Sequence, residues 1–387
     1  MYEFERGESM GEGFGTILAL IRRTETATLA RVRIQEWEIW GELGGMDKRD
    51  EPDQDGLDEF CEWLRGRLRV EGGTAGAARA IELARNSDLE AREYSSKVLR
   101  YQLALRAVDP YCIKQGDYGF CGPASLLFDF ARQWPVEYVQ CAVALNNWRV
   151  GKLMTPKLGK KPMELKADPD YDIRYDRERM RPQPNQPYRD PNQYWLNGAA
   201  GLGPADFLML HAIRRAAQDD PNAPFDITRP GEPSQATDPS AMCTFLRRVG
   251  YEKVEDNTLW KKAWGKVAPA DRVEHVRTCA ALTRQGALVI LLVNPWLSDE
   301  AMPGSNLAAN PLAAPVPDPE RSATRSEKAH AADPVPLSKL HWIAVRSLSL
   351  DGDKVWMTFM NAGLKCQRSY RYGHFEQCYY GYVTGKA

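Results

Sequence analysis

The sequence has almost no net charge, because its 51 lysine and arginine residues nearly cancel its 52 aspartate and glutamate residues. Domains that bind nucleic acid or an anionic membrane surface usually carry an excess of positive charge. The composition therefore argues against a nucleic-acid partner. At 387 residues the chain is long enough to bury a substantial hydrophobic core, so we expect one main domain with an appendage.

Long apolar runs are also missing. The longest, residues 287–293, is far shorter than the roughly 20 residues that a membrane-spanning helix needs. The first ten residues, MYEFERGESM, lack the basic start of a signal peptide. These features predict a soluble protein without membrane insertion, located in the cytoplasm of the cell that makes it.

The eight cysteines are scattered, without a C-x-x-C pair or the dense spacing of a disulfide-stabilised domain. Most of them are therefore expected to be buried thiols. Cys112, Cys366 and Cys378 match no zinc-binding spacing. We predict that the protein has no metal site.

The first part of the chain, residues 1–108, is rich in charged residues and helix formers. Apolar residues recur at helical spacing in 57–68 and 88–107, whereas 29–40 alternates in part and fits a helix or a strand. The pattern predicts a mostly helical N-terminal accessory region. Docking, delivery and inhibition are all open as its role.

Residues 121–285 are helix-rich. A helix is predicted to begin at Cys121, with Pro123 in its first turn. Further helices are expected where apolar residues keep helical spacing, at 204–217, 239–249 and 269–285. Between them, residues 155–195 carry many Pro, Asp, Arg and Tyr residues and are predicted to form a long loop.

Residues 286–387 are strand-rich. The continuous apolar run 287–293 indicates a buried strand, and the tyrosine-rich tail is typical of further strands. Seven prolines in 301–338 indicate a flexible insertion that contributes no core. The segments LHWIAVRSLSL and VWMTFMN flank a turn at Asp351 and Gly352 and predict a β-hairpin.

The hairpin brings two polar residues together. If its turn centres on Asp351 and Gly352, His341 and Asn361 lie nearly opposite each other at one end of the sheet. An amide at that distance can hold an imidazole in one tautomer. The other ring nitrogen would then be free to take a proton from a nucleophile.

Cys121 is the candidate nucleophile. It lies where a helix begins, with Gly119 and Gly122 leaving space for close approach, and a helix N-terminus favours a thiolate. Gln115, six residues upstream, is predicted to place its amide beside the backbone N–H of Cys121. Two such donors would bind the oxyanion of a tetrahedral intermediate.

These motifs resemble those of the papain-like cysteine peptidases. In that family a Gln-Gly pair precedes the cysteine, the histidine opens one strand and the asparagine ends another. The resemblance implies that Gln115 is the oxyanion donor, Cys121 the nucleophile, His341 the base and Asn361 the residue that orients it. Gly119 and Trp342 are expected to contact the substrate.

The segment CGPASLLF is closest in appearance to bacterial members, namely papain-fold toxins and the peptidases that process bacteriocin leaders. Two features differ from the plant enzymes. Phe120 and Gly122 flank the cysteine where papain has serine and an aromatic residue, and the spacing from Cys121 to His341 is longer than usual. Leader peptidases generally use aspartate where this chain has Asn361.

The resemblance implies an α+β, two-lobed papain-like domain over 109–387. Helices from about 121 to 285 would form one lobe, strands from about 286 to 387 the other, and the site would lie in the cleft between them. The implied reaction is thiolate attack on an amide, formation of a thioester and its hydrolysis, with no cofactor.

The implied function is a cysteine protease that acts as a bacterial effector toxin, exported by a specialised secretion system and cleaving proteins of a target cell. A secretion-apparatus component or an immunity protein would be its partner. Deamidation or transglutamination of a target protein is the main alternative, while a cell-wall amidase and a binding module without activity are weaker ones. The other histidines, 211, 275, 330 and 374, are expected to be structural or solvent-facing.

Overall fold

A computed structural model describes residues 13–23, 27–41, 51–71, 75–90, 95–115, 119–156, 163–167, 202–216, 237–258, 269–294, 297 and 340–386 of the chain. These residues form an α+β fold, as the sequence predicted. The predicted insertion at 301–338 lies outside them. None of the helices in these ranges is long and apolar enough to cross a membrane.

Helices dominate the first two thirds of the described chain. In chain order they are α1 (Phe14–Arg22), α2 (Leu29–Gly41), α3 (Gln54–Glu71), α4 (Ala75–Asn86), α5 (Ser96–Val108), α6 (Cys121–Gln133), α7 (Pro135–Trp148), α8 (Pro204–Ala216), α9 (Pro239–Val249), α10 (Pro269–Arg284) and α11 (Tyr372–Cys378), with a short 3-10 turn at Pro110–Cys112.

The strands of the described chain form two antiparallel sheets. They are β1 (Val150–Leu153), β2 (Met163–Lys166), β3 (Glu252–Thr258), β4 (Leu288–Val293), β5 (His341–Asp351), β6 (Lys354–Asn361), β7 (Leu364–Arg371) and β8 (Tyr379–Lys386). β1 and β2 pair with each other, and the remaining strands form one sheet in the order β3-β8-β4-β5-β6-β7.

The helices predicted around the candidate nucleophile are confirmed. α6 begins at Cys121, and α9 begins after the N-cap Asp238, whose carboxylate accepts a hydrogen bond from the Ala241 N–H at 2.8 Å. Gly250 ends α9 with a φ of 111°, a conformation that favours glycine. Residues 29–40, which fitted either element, form helix α2.

Strand β4 is buried on both faces of the main sheet, and this explains why it is apolar at every position. Leu288, Ile290 and Leu292 belong to the large core shared with the helices, whereas Val289 and Leu291 belong to a second core on the opposite face. The large core includes residues of α1–α5 as well as α6 and α7. The N-terminal helices therefore pack as part of the same body as the helix that starts at Cys121.

Three sequence predictions about strands need correction. β3 joins the main sheet beside β8, so the sheet draws on residues well before 286. Met163–Lys166, inside the stretch predicted as a loop, forms β2, whose four residues are too short for a periodicity signal. The tail is not strand throughout, because Tyr372–Cys378 forms helix α11 between β7 and β8.

The predicted hairpin is confirmed, with a small shift in register. β5 and β6 meet at Asp351 and Lys354, so the turn centres one residue later than expected. A bulge at Arg346 then shifts the pairing so that Ala344 lies opposite Met360. His341 and Asn361 are consequently diagonal neighbours, a separation that long polar side chains still bridge.

Candidate active site

Cys121 is the first residue of α6, and the backbone around it has the conformation that its glycines suggested. Gly119 has a φ of 64°, which is strained for any residue with a side chain. A Cβ on Gly122 would lie 2.6 Å from Oγ1 of Thr237, so only glycine allows this approach. Both glycines therefore shape the entry into α6, and the role of Gly119 as a substrate contact stays a prediction.

Solvent access separates Cys121 from the other cysteines. All eight lie in the described part of the chain, all are free thiols, and Cys121 alone is not fully buried. A nucleophile must be reachable by its substrate, whereas a buried thiol behaves as a small apolar side chain. The structure thus singles out the same cysteine as the sequence motif did.

The start of α6 rests on the start of β5. The backbone N–H of Trp342 lies near the Cys121 sulfur and lowers the pKa of this thiol. One turn further along the helix, Oγ of Ser125 donates to the Trp342 carbonyl at 3.4 Å. Because His341 is the neighbour of Trp342, these contacts bring the start of α6, with Cys121, to the start of β5, with His341.

His341 is held by Asn361 as predicted. The distance between His341 Nε2 and Asn361 Oδ1 is 2.8 Å, and the Asn361 side chain is buried. The amide oxygen can only accept a hydrogen bond, so Nε2 carries the proton. Nδ1 is then the ring nitrogen with a lone pair, as a general base requires.

Gln115 lies against the same imidazole. Its Nε2 atom is 3.5 Å from Nε2 of His341. In the tautomer that Asn361 selects, both of these nitrogens carry hydrogen, so the contact is van der Waals packing of the amide on the ring edge. The structure therefore brings Gln115 to the site, and its role as an oxyanion donor stays a prediction.

Burial shifts both reactive groups toward their neutral forms. Loss of solvent raises the pKa of Cys121, although hydrogen bonds from the backbone N–H groups of Trp342 and Gly122 oppose this rise. Loss of solvent also lowers the pKa of His341, partly offset by its hydrogen bond to Asn361. At neutral pH these shifts favour a thiol on Cys121 and a neutral imidazole on His341.

Arg214 is a charged residue of this site that the sequence analysis did not identify. It lies on α8, which packs on α6, and its side chain is only 4% exposed. One turn earlier on α8, the His211 ring packs edge-on against Phe120, the residue before Cys121. Nothing in the sequence indicates which helix faces Cys121, so only the packing reveals this cation.

The Arg214 charge is expected to favour the thiolate of Cys121, whose pKa it lowers. In the Arg214→Met variant we expect iodoacetamide to alkylate Cys121 several-fold more slowly at pH 7, because loss of the nearby positive charge raises the thiol pKa and leaves less thiolate. Arg215→Met, on the same helix, is the control and should keep the wild-type rate. Equal rates in all three proteins would contradict this role.

Trp342 is next to the site but is not open to it. Its side chain is 2% exposed, and its indole N–H donates to the Thr237 carbonyl at 2.7 Å. The ring therefore packs β5 against the segment that precedes α9 and leaves little surface for a substrate. We correct its assignment from a substrate contact to a residue that positions the site.

His211 is buried on α8, in agreement with the structural role expected for it, and burial holds its pKa well below the ordinary value of about 6.5. The folded protein cannot protonate this ring at a pH where the unfolded chain does. Stability from this residue is therefore present above pH 6.5 and is lost as the pH falls.

We expect His211→Leu to lose less stability on acidification than the wild type. Urea unfolding at pH 7.5 and 5.5 measures how the free energy of unfolding changes with pH. In the variant this change should be smaller by up to roughly 1.4 kcal/mol per pH unit, which corresponds to about one proton. A wild-type slope in the variant would show that other groups govern acid sensitivity.

Comparison with known proteins gives no assignment. No family model matches the chain, no curated protein matches it, and no solved structure matches its fold.

Proposed function

We propose that this protein is a papain-like cysteine protease with Cys121 as nucleophile and His341 as base. The observation that carries the proposal is the 2.8 Å hydrogen bond between His341 and Asn361, formed beside the only partly exposed cysteine of the chain. The helix that begins with Cys121 and the strand that begins with His341 are the elements that the resemblance implies, and their contact through Ser125 and Trp342 supports the proposal.

The proposed reaction begins with the transfer of the Cys121 thiol proton to Nδ1 of His341. The sulfur attacks the carbonyl carbon of a peptide bond, and its oxygen gains negative charge in the tetrahedral intermediate. The N–H of Cys121 at the start of α6 and the Gln115 amide supply donors for that charge. The intermediate collapses to a thioester as the leaving amine takes the proton from His341.

Hydrolysis of the thioester reverses the proton transfer. His341 accepts a proton from water, the hydroxide attacks the thioester carbonyl, and the cysteine sulfur leaves and regains its proton. Asn361 holds the imidazole in one orientation through both steps. No step needs a cofactor.

A survey of new protein N-termini by mass spectrometry tests this proposal. A bacterial lysate is incubated with the wild-type chain or with Cys121→Ala. New termini that appear only with wild type would establish proteolysis and give the sequence preference. Mass changes at Gln or Asn side chains, without new termini, would instead establish the deamidase that uses the same Cys-His pair.

The biological setting that we propose is that of an effector toxin acting on proteins of a target cell. It rests on the likeness of CGPASLLF to bacterial papain-fold toxins. Expression of the wild-type chain in a bacterial host should slow growth, while Cys121→Ala expressed to the same level should not. Equal growth with both proteins would argue against a toxin.

A further inference from the structure

Lys114, the residue before Gln115, is buried between the N-terminal helix α2 and the active site. Its side chain is mostly enclosed, and its Nζ atom donates to the Trp37 carbonyl at 3.3 Å. The same ammonium lies over the Trp37 ring, 5.2 Å from the ring centroid. A lysine charge is costly to bury, so these contacts compensate for its lost water and fix the side chain in place.

The backbone of Lys114 is held by a second set of contacts. Its N–H donates to Oδ2 of Asp206 at 3.1 Å. The Asp206 carboxylate accepts two hydrogen bonds from Arg106, at 2.7 and 2.6 Å, and Arg106 also donates to Glu36 on α2 at 3.1 Å. All three charged side chains are buried. Planar, two-point pairing of this kind fixes direction as well as distance.

The other side of Lys114 supports the turn that follows Asn361. Gly363 in this turn has a φ of 86°, and a Cβ placed on it would lie 3.4 Å from Cβ and Cγ of Lys114 and 3.6 Å from Cδ1 of Trp37. The turn between β6 and β7 therefore packs directly on these two side chains. Gln115 and Asn361 both contact His341. Gln115 directly follows Lys114 in the chain, and Asn361 lies two residues before Gly363.

We propose that Lys114 and Trp37 are positioning residues that hold Gln115 and Asn361 against His341, and that α2 is consequently a working part of the catalytic unit. The inference rests on the proposed function and adds a role for the N-terminal region. The sequence left docking, delivery and inhibition open as roles of the N-terminal region. None of these three roles requires α2 for turnover, whereas the positioning role does.

The test compares Lys114→Met, which keeps the aliphatic stem but removes the charge, with Lys114→Arg, which keeps a donor for the Trp37 carbonyl. Arg67→Met is the matched control, because Arg67 lies over the Trp63 ring on α3, away from the site. Turnover of a peptide found in the N-terminus survey, the melting temperature and the imidazole nitrogen NMR signals of His341 are measured for each full-length protein.

In Lys114→Met we expect kcat to fall about tenfold to a hundredfold with KM within about twofold, since small displacements of catalytic groups have effects of that size. Lys114→Arg should recover part of kcat, and Arg67→Met should keep all of it. An unchanged kcat in Lys114→Met, or an equal fall in the Arg67→Met control, would overturn the proposal.

The NMR signals separate this inference from the proposed function. In the wild type they should show the proton on Nε2 of His341, and in Lys114→Met a mixture of tautomers. This comparison remains valid if the wild type cleaves no protein, because the NMR signals report the tautomer of the His341 ring without any turnover. A single Nε2–H tautomer in both proteins would overturn the positioning role, and Trp37→Phe repeats the test if Lys114→Met does not fold.

Discussion

The Cys121→Ser variant is expected to lose at least about a thousandfold in turnover, because a serine hydroxyl in this site is a far weaker nucleophile than the thiolate that His341 can generate. Cys121→Ala should lose still more, leaving only the contribution of substrate binding and oxyanion donors. Steady-state kinetics on a peptide from the N-terminus survey measures both. The fold should be preserved, since serine and alanine are no larger than cysteine and the residue is partly exposed at a helix start.

Cys61→Ala is the matched control for this prediction. Cys61 is buried on α3, which packs mainly on α1, α4 and α5, whereas His341 begins β5. It should keep the wild-type kcat even if its melting temperature drops. Substantial activity in Cys121→Ser would mean that another residue is the nucleophile, and equal loss in Cys61→Ala would mean that the effect arises from folding.

The His341→Ala variant should lose turnover by at least about a thousandfold as well, because nothing then accepts the thiol proton during attack. The dependence of the wild type on pH should follow from the same group. Burial lowers the pKa of His341, so the imidazole stays a base at neutral pH and is inactivated by protonation only below pH about 6.5. We expect kcat/KM to fall on that acidic side.

Alkylation of Cys121 distinguishes the roles of the two residues. In His341→Ala the thiol should still react with iodoacetamide at high pH, where hydroxide removes its proton, while hydrolysis remains lost. His374→Ala on α11 is the control and should retain full activity. Retention of more than about a tenth of the turnover in His341→Ala would show that this histidine is not the base.

The sequence alone was sufficient for the local features of the site. The helix that begins at Cys121 follows from its apolar spacing, and the glycines on either side are required by a positive φ at Gly119 and close packing at Gly122. The proximity of His341 to Asn361 follows from a hairpin with a recognisable turn, because short turns fix the strand register to within one or two residues.

Only the tertiary structure decided which distant residues meet at the site. Arg214 and Lys114 carry no sequence signal for catalysis, and Trp342, which the sequence placed at the substrate, is buried by its contact with Thr237. The helix α2 was ambiguous by pattern, yet its Glu36 and Trp37 contact the charged network and the lysine that adjoin Gln115. Periodicity and turn chemistry act over a few residues, whereas these contacts join segments far apart in the chain, and they form only when the whole core packs.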